Sequence, residues 1–421
     1  MRKTKLALAI ATSAMISTPV LATNGDNLIG LGAQARALGG TGTAAFFGSE
    51  NALTNPALLG KSQGTEFAIG GTLFKPDVKA TTDVATSGQP ADSQTSDADT
   101  NIIPEVSLST RINDNWTFGL GIFGSAGMGT DYRDTDALFN GYSNLQIMKF
   151  APSLAYNEEN FGFGFAPVIQ YGALDINYKM DADFDGTNET NVGNGMSSDL
   201  GYGFNLGAYF DVTKEFTIAA AYQSAISMEY DDQMSVASGP FANFGFLPAA
   251  FDDKLEQPAE IKIGAAYTTG NWMLTADAKQ IKWGDAEGYK DFGWEDQNVF
   301  GLGAKYSGND YWVGVGYNFG SDPIDETNNQ TVNMFNNHFF PAVVERHFTF
   351  GGGYNITKNM AIDAAVVYAA EVEKTVDTSQ ISSGFATAYS MSQGGGAVSL
   401  PSEHEVTHSQ IGYTVSLRMN F

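Results

Sequence analysis

The sequence predicts an all-β fold: a membrane-spanning, antiparallel up-and-down β-barrel of about 14 strands with an N-terminal plug (hatch) inside the lumen. Three observations carry this expectation. The chain ends on a strand of strict period two that closes in an aromatic residue. Some fourteen strand-like runs follow one another from residue 64 onward. Their connections alternate between very short and long.

The closing strand is the clearest. Ile411, Tyr413, Val415, Leu417, Met419 and Phe421 are apolar, and Gly412, Thr414, Ser416, Arg418 and Asn420 between them are small or polar. Period two gives a strand two different faces. With lipid on one side and a wet lumen on the other, such a strand belongs to a membrane barrel.

The other runs begin near Phe67, Ile102, Trp116, Leu145, Phe161, Asp199, Phe216, Gln257, Trp272, Gln297, Tyr311, Val344 and Met360. Six connections are tight, around residues 113–115, 158–160, 213–215, 269–271, 308–310 and 357–359, and carry the Asn, Asp and Gly that turns demand. The other seven are long. Strict alternation of this kind suits short periplasmic turns and long outer loops. Cations fall on the polar faces, so Lys149, Lys262, Lys279, Lys305, His347, His408 and Arg418 are expected to point into the lumen. Trp116, Trp272, Tyr311 and Trp312 are expected in an interfacial girdle.

Composition agrees. The 421 residues include 48 Gly and 12% aromatics, yet mean hydropathy is only −0.16, as expected when half of each strand faces water. The net charge of −25 argues against nucleic-acid binding, which rewards Lys and Arg. The absence of Cys excludes disulfides and thiolate metal sites. Residues 1–22 read as a signal peptide: Arg2, Lys3 and Lys5, an apolar run, and Val20-Leu21-Ala22 before the cut. No later run approaches the ~20 apolar residues of a spanning helix, which leaves a barrel as the way to cross lipid. The expected location is the outer membrane of a Gram-negative bacterium, as a monomer against outer-membrane lipid and lipopolysaccharide.

Residues 23–63 do not alternate and are rich in Gly and Ala, with one short helical stretch, Gln34 to Leu38. They are too apolar and too sparsely charged for disorder. A fourteen-stranded cylinder leaves a hole, and a plug in it is the economical place for this segment. The barrel then comprises residues 64–421.

The assembled pattern resembles the FadL-type outer-membrane transporters of long-chain fatty acids and other hydrophobic compounds. The residues that carry the likeness are Asn55-Pro56-Ala57 after the Gly/Ala-rich approach from Gly30 to Gly42, the run Phe123 to Gly129 with Asp131-Tyr132, Asn144 to Pro152, Phe340 to Arg346, and the terminal Phe421. The resemblance implies passive uptake: capture in an apolar groove of the outer loops, transfer to a second site, and sideways exit through the wall under control of the plug, with Asn55, Pro56 and Ala57 as gating residues.

Several parts of this are also read from the residues. In the third strand Trp116, Phe118, Leu120 and Ile122 keep one phase and Phe123 breaks it among Gly121, Gly124 and Gly127, which signals a bulge or kink. The outer loops carry Leu138, Phe139, Phe241, Phe244, Phe246, Leu247, Phe251, Phe335, Phe339 and Phe340, a set of exposed apolar groups that points to binding. Arg36, Lys149, Lys262, Lys305 and Arg346 are candidates to orient a ligand carboxylate. Asp181, Asp183, Asp185 and Gly186 present alternate carboxylates as a calcium loop does, with Glu189 at the ninth position but Val192, not Glu, at the twelfth; a structural calcium and a plain acidic loop both remain open. No other cofactor is expected. Four His residues and no nucleophile motif make an enzyme a poor reading. An importer of aromatic or alkane hydrocarbons with the same design is an alternative, as is a general porin.

Overall fold

The computed structural model describes residues 23–84, 92–181 and 189–421. Fourteen long strands form one closed antiparallel cylinder: β1 Thr65–Thr82, β2 Asn101–Arg111, β3 Trp116–Met128, β4 Tyr142–Asn157, β5 Phe161–Asp181, β6 Ser197–Asp211, β7 Phe216–Gln223, β8 Glu260–Thr269, β9 Trp272–Ile281, β10 Gln297–Ser307, β11 Tyr311–Gly320, β12 Arg346–Thr357, β13 Met360–Asp377 and β14 Glu403–Asn420. Each pairs with its neighbours in sequence. β14 returns to β1, from His404 opposite Thr82 to Asn420 opposite Glu66, so no sheet edge is left at closure. Every predicted run lies within a few residues of one of these strands.

Period two places the apolar set outside. Ile261, Ile263, Phe300, Leu302, Val315, Phe348 and Phe350 are all exposed, an arrangement that costs nothing when the surrounding solvent is hydrocarbon. Between them the inward residues are small or polar, among them Lys149, His347, His408, Gln410 and Thr414, all buried. Trp116, Trp272 and Tyr311 sit outside near the short-turn end. Trp312 departs from the expected girdle: one residue on from Tyr311, it must face inward, and its indole Nε1 donates to Asp363 Oδ1 at 2.7 Å.

Residues 24–62 fill the bore and are almost wholly buried. Their hydrogen bonds reach all sides of the cylinder, which only a segment inside it can do. Gly42 and Thr43 donate backbone N–H groups to Asp277 Oδ2 of β9, each at 2.9 Å. Thr41 meets Thr275, Gly39 donates to Thr349 of β12, Ser49 meets Ser107 of β2, and Asn205 of β6 donates to the Leu53 carbonyl. Arg36, on the short helix Ala33–Ala37, is ion-paired with Glu105 of β2 at 2.5 Å. Glycine is needed where the plug touches the wall: a Cβ on Gly316 of β11 would lie 2.1 Å from the Gly39 nitrogen.

The long connections sit at the opposite end from the tight turns. They hold three helices, Met234–Asn243, Gln330–Phe339 and Ser379–Ser392, besides short 3-10 turns. Among the described residues no helix is long and apolar enough to cross a membrane, which says nothing against spanning by strands.

Candidate functional site

The outer loops converge on one apolar cluster. Phe241 and Phe335 meet edge to face with ring centroids 5.2 Å apart. Phe335 continues to Phe339 at 5.2 Å, and Phe251 packs on Phe292 at 4.4 Å. Leu247, Phe139 and Phe340 are buried in the same cluster, with Phe246 and Phe251 packed against it. Phe244 stands at its rim, 40% exposed. Leu138, on the 3-10 turn Asp136–Leu138, lies apart, beside Ala80 and Tyr132. Sequence reasoning missed several members, Phe385, Trp283, Tyr289 and Trp294 among them. Phe385 sits on the helix Ser379–Ser392, in a Ser- and Gly-rich run that reads as plain loop. Trp283, Tyr289 and Trp294 form a three-ring group, each pair tilted or edge to face, with centroids 4.7 to 4.9 Å apart. Four aromatics within twelve residues of one loop, Trp283, Tyr289, Phe292 and Trp294, were the available signal.

The cluster runs down into the bore, where Leu53 and Val299 belong to it and also line a cavity of about 70 Å³. Lys149, Lys262 and Lys279 line the same cavity. Its two carboxylates are already engaged. Glu260 pairs with Lys262 at 2.8 Å and accepts from Asn27 at 3.0 Å; Asp277 holds the plug backbone. The remaining cation candidates are elsewhere. Arg36 is committed to Glu105. Lys305 donates to Gln34 at 2.5 Å among plug residues. Arg346 corrects the expectation of a lumenal charge: it is 64% exposed near Glu345, because His347 beside it takes the inward position and the pleat sends Arg346 outward.

The third strand carries the irregularity expected of Gly121, Phe123, Gly124 and Gly127. Its register against β4 slips between Gly124 and Ala126, leaving Ser125 unpaired. The slip coincides with the end of a ladder. β2 and β3 pair only from Arg111 opposite Thr117 to Glu105 opposite Phe123. Beyond that point Asn101 to Pro104 pair with β1 but not with β3, and Gly124 and Ala126 to Met128 pair with β4 but not with β2. Pro104 has no N–H to offer across the seam. The edges still touch: a Cβ on Gly124 would come within 2.7 Å of Ile103 Cγ2.

The amino-terminal segment occupies the free edge of the seam. Thr23–Asn24 and Asn27–Leu28 form a minimal hairpin. Asn27 then bridges Ala126, and Gly127 donates to the Asp26 carbonyl at 3.1 Å. The hairpin turn is held from the opposite wall. Asp26 is fully buried, and its Oδ2 accepts from the Tyr289 hydroxyl and from Gln257 Nε2 at 3.1 Å. Trp283 lies flat on Gly25, whose φ of +69° suits glycine and whose absent Cβ would stand 2.6 Å from the indole. Burial together with Asp26 keeps the Tyr289 phenol well above its usual titration range, so it stays a donor.

Asn55-Pro56-Ala57 forms a cap. Asn55 Oδ1 accepts from the Ala57 N–H at 3.1 Å and starts the 3-10 helix Pro56–Lys61, with Pro56 in its first turn. Its Nδ2 donates to the Thr43 carbonyl at 2.7 Å. Asn55 thus ties two parts of the plug together beside β6.

Asp183 and Asp185 lie outside the described residues, as does the Asp181 side chain. Glu189 opens a short strand extending β5 and is 3.4 Å from Lys179. Among the described residues no cluster of three metal-ligating side chains occurs.

Comparison with known proteins agrees with this architecture. Residues 26–408 match the family model described as outer membrane protein transport protein (OMPP1/FadL/TodX). The long-chain fatty acid transport protein of Salmonella typhi is 26% identical over 415 residues, covering 87% of this chain and 91% of that protein. Its Escherichia coli K12 counterpart is 24% identical over 426 residues, with the same coverage. A Pseudomonas aeruginosa FadL homologue superposes with a TM-score of 0.68 at 15% identity, over 94% of this chain and all of that one. The Pseudomonas putida toluene transporter TodX gives 0.67 at 18% identity, over 95% and 100%. At such identities the structures speak for the fold. The chain belongs to the OMPP1/FadL/TodX family of outer-membrane transport proteins of Gram-negative bacteria.

Proposed function

We propose that this protein carries long-chain fatty acids, or hydrophobic compounds of similar character, inward across the outer membrane without an energy source. The ligand enters among the outer-loop aromatics, passes to the bore cavity and leaves sideways between β2 and β3, with the amino-terminal segment as the gate. The observation that carries this reading is the coincidence of three features at one place. The β2–β3 ladder stops at Glu105 and Phe123, the β3 bulge falls two residues beyond at Ser125, and the apolar cluster that begins in the loops reaches this place through Phe123, Ala126 and Met128.

The energetics favour such a route. Burying fifteen or so methylenes is worth on the order of 12 kcal/mol before costs, while an exposed ion pair adds about 0.5 kcal/mol. Affinity therefore comes from apolar area, and bore cations orient the head. The fatty acid reading also follows the printed function of the Salmonella and Escherichia relatives.

A second reading, import of monoaromatic hydrocarbons, is favoured by the ring-on-ring character of the cluster and by the likeness to a toluene transporter. Uptake of labelled oleate and of labelled toluene by cells with and without the protein separates the two. Unchanged uptake of both on deletion sinks the transport reading. In planar bilayers the plugged barrel should show little ion conductance, and a large steady conductance would make it a general porin.

A further inference from the structure

The seam between β2 and β3 is covered by Asn27, but what fixes Asn27 lies on the far side of the bore. The preceding turn is gripped by two side chains of the outer loop 282–296: Trp283 over Gly25, and Tyr289 on the Asp26 carboxylate. Gln257, from the loop before β8, adds a second donor. Those rings are not an isolated buttress. Tyr289 meets Trp294 edge to face at 4.8 Å, Trp294 Nε1 donates to Asn336 Oδ1 at 3.0 Å, and Asn336 Nδ2 donates back to the Phe292 carbonyl at 2.7 Å. Asn336 lies on the helix Gln330–Phe339, whose Phe335 is at the centre of the outer aromatic cluster.

We propose that Tyr289 is a positioning residue that latches the amino-terminal hairpin over the wall seam, so that a ligand wedging apart the outer aromatic cluster releases the seam through the Tyr289–Asp26 contact. The proposal rests on the transport reading above and adds to it the residues that couple entry to exit.

Three features make this contact suited to the task. It is charge-assisted and shielded from water, so its loss is felt strongly. It is one of few polar ties at the hairpin: the other Asp26 oxygen and both polar atoms of the Asn24 side chain have no hydrogen-bond partner among the described residues. The seam contact it protects is slight, a single bridge from Asn27 to Ala126 and one hydrogen bond from Gly127. A gate held by few bonds at one end opens when the far end lets go. The rest of the plug has its own anchors on Asp277, Thr349 and Asn205 and stays in place.

The chain has no native cysteine, so single reporters are clean. Ser125→Cys places a thiol at the bulge and Ala57→Cys one deep in the plug. Their alkylation rates by a small water-soluble maleimide are measured on the purified full-length barrel, in otherwise unchanged protein and with Tyr289→Phe. The phenylalanine keeps the ring packing and removes only the hydroxyl. The expected result is about a ten-fold or greater acceleration at residue 125 with Tyr289→Phe, no change at residue 57, and acceleration by oleate at residue 125 only where Tyr289 is present. An unchanged rate at residue 125 overturns the latch, as does an equal rise at both positions, which would mean general loosening. Oleate uptake by cells is scored separately: uptake that depends on the protein, with an unchanged rate at residue 125, discards the latch and keeps the transport reading. Uptake indifferent to the protein discards the transport reading itself.

Discussion

Lys262 and Lys279 stand directly opposite each other across the β8–β9 ladder, both facing inward into the cavity that Lys149 lines from the far wall. Like charges in register on adjacent strands are destabilising. Only Lys262 has an ion-pair partner, Glu260, among the described residues. Fold stability does not explain keeping such a pair. On the proposed function, an anionic ligand head would find ammonium groups on two walls at the lower end of an apolar track.

The first prediction follows from that pair. Lys149→Met with Lys279→Met should weaken oleate binding about ten-fold and leave binding of the matching long-chain alcohol unchanged. Titration of the purified barrel with each ligand checks it. Equal loss for both ligands would mean that the lysines only support the cavity, and no loss for either would remove them from recognition.

Asn55 supplies the second. Asn55→Ala removes the cap of the 3-10 helix Pro56–Lys61 and the tie to Thr43. A lost cap costs about 1 kcal/mol, small against a closed fourteen-strand wall. The barrel should keep its resistance to SDS without heating while uptake falls several-fold. Wild-type uptake in a folded Asn55→Ala barrel would deprive the plug of a role in gating.

These predictions depend on parts of the molecule that the sequence displayed unequally. The wall was legible because alternation is local: Phe300, Leu302 and their neighbours state their faces without knowledge of the fold. The β3 bulge was legible because Phe123 breaks phase among glycines. At Trp312 alternation outranks aromatic identity and turns the indole inward to Asp363, and at Arg346 the inward position belongs to His347. The Tyr289–Asp26 contact was beyond reach. Its partners are separated by 263 positions, and nothing in the residues near either one announces the other. Phe385 was missed because its run of Ser and Gly looks like linker until a helix brings one face to the cluster.

The outer cluster gives the third prediction. Phe244 and Phe246 lie 6.3 Å apart at the rim, and Phe246 packs edge to face on Phe385 at 5.2 Å. Replacing both with Asp puts carboxylates where an apolar ligand first lands. Each lost ring forfeits about 1.5–3 kcal/mol of burial at most, so capture should weaken ten-fold or more, in the association phase above all. Stopped-flow binding of a fluorescent fatty acid reads it. Unaltered association would move the landing site to another loop.

His338 gives the fourth, a dependence on pH. It lies buried on the helix Gln330–Phe339, with Nδ1 3.2 Å from His404 Nε2, and its ring meets Phe339 at 4.6 Å. Tyr132 and Phe139 lie against the ring, and Nε2 has no hydrogen-bond partner among the described residues. Burial, with His404 beside it, holds its pKa well below 6.5. A histidine whose folded pKa is depressed contributes its full stability above the unfolded value and loses it as pH falls below that value. Acidification from about pH 7.5 to about pH 5.5 should therefore loosen this helix. The same step should leave β8, which carries no His, intact. Hydrogen exchange of residues 330–340 against residues 261–267 measures the difference. His338→Asn should remove most of the pH dependence of the helix, and if the variant keeps all of it, the titrating group is another one.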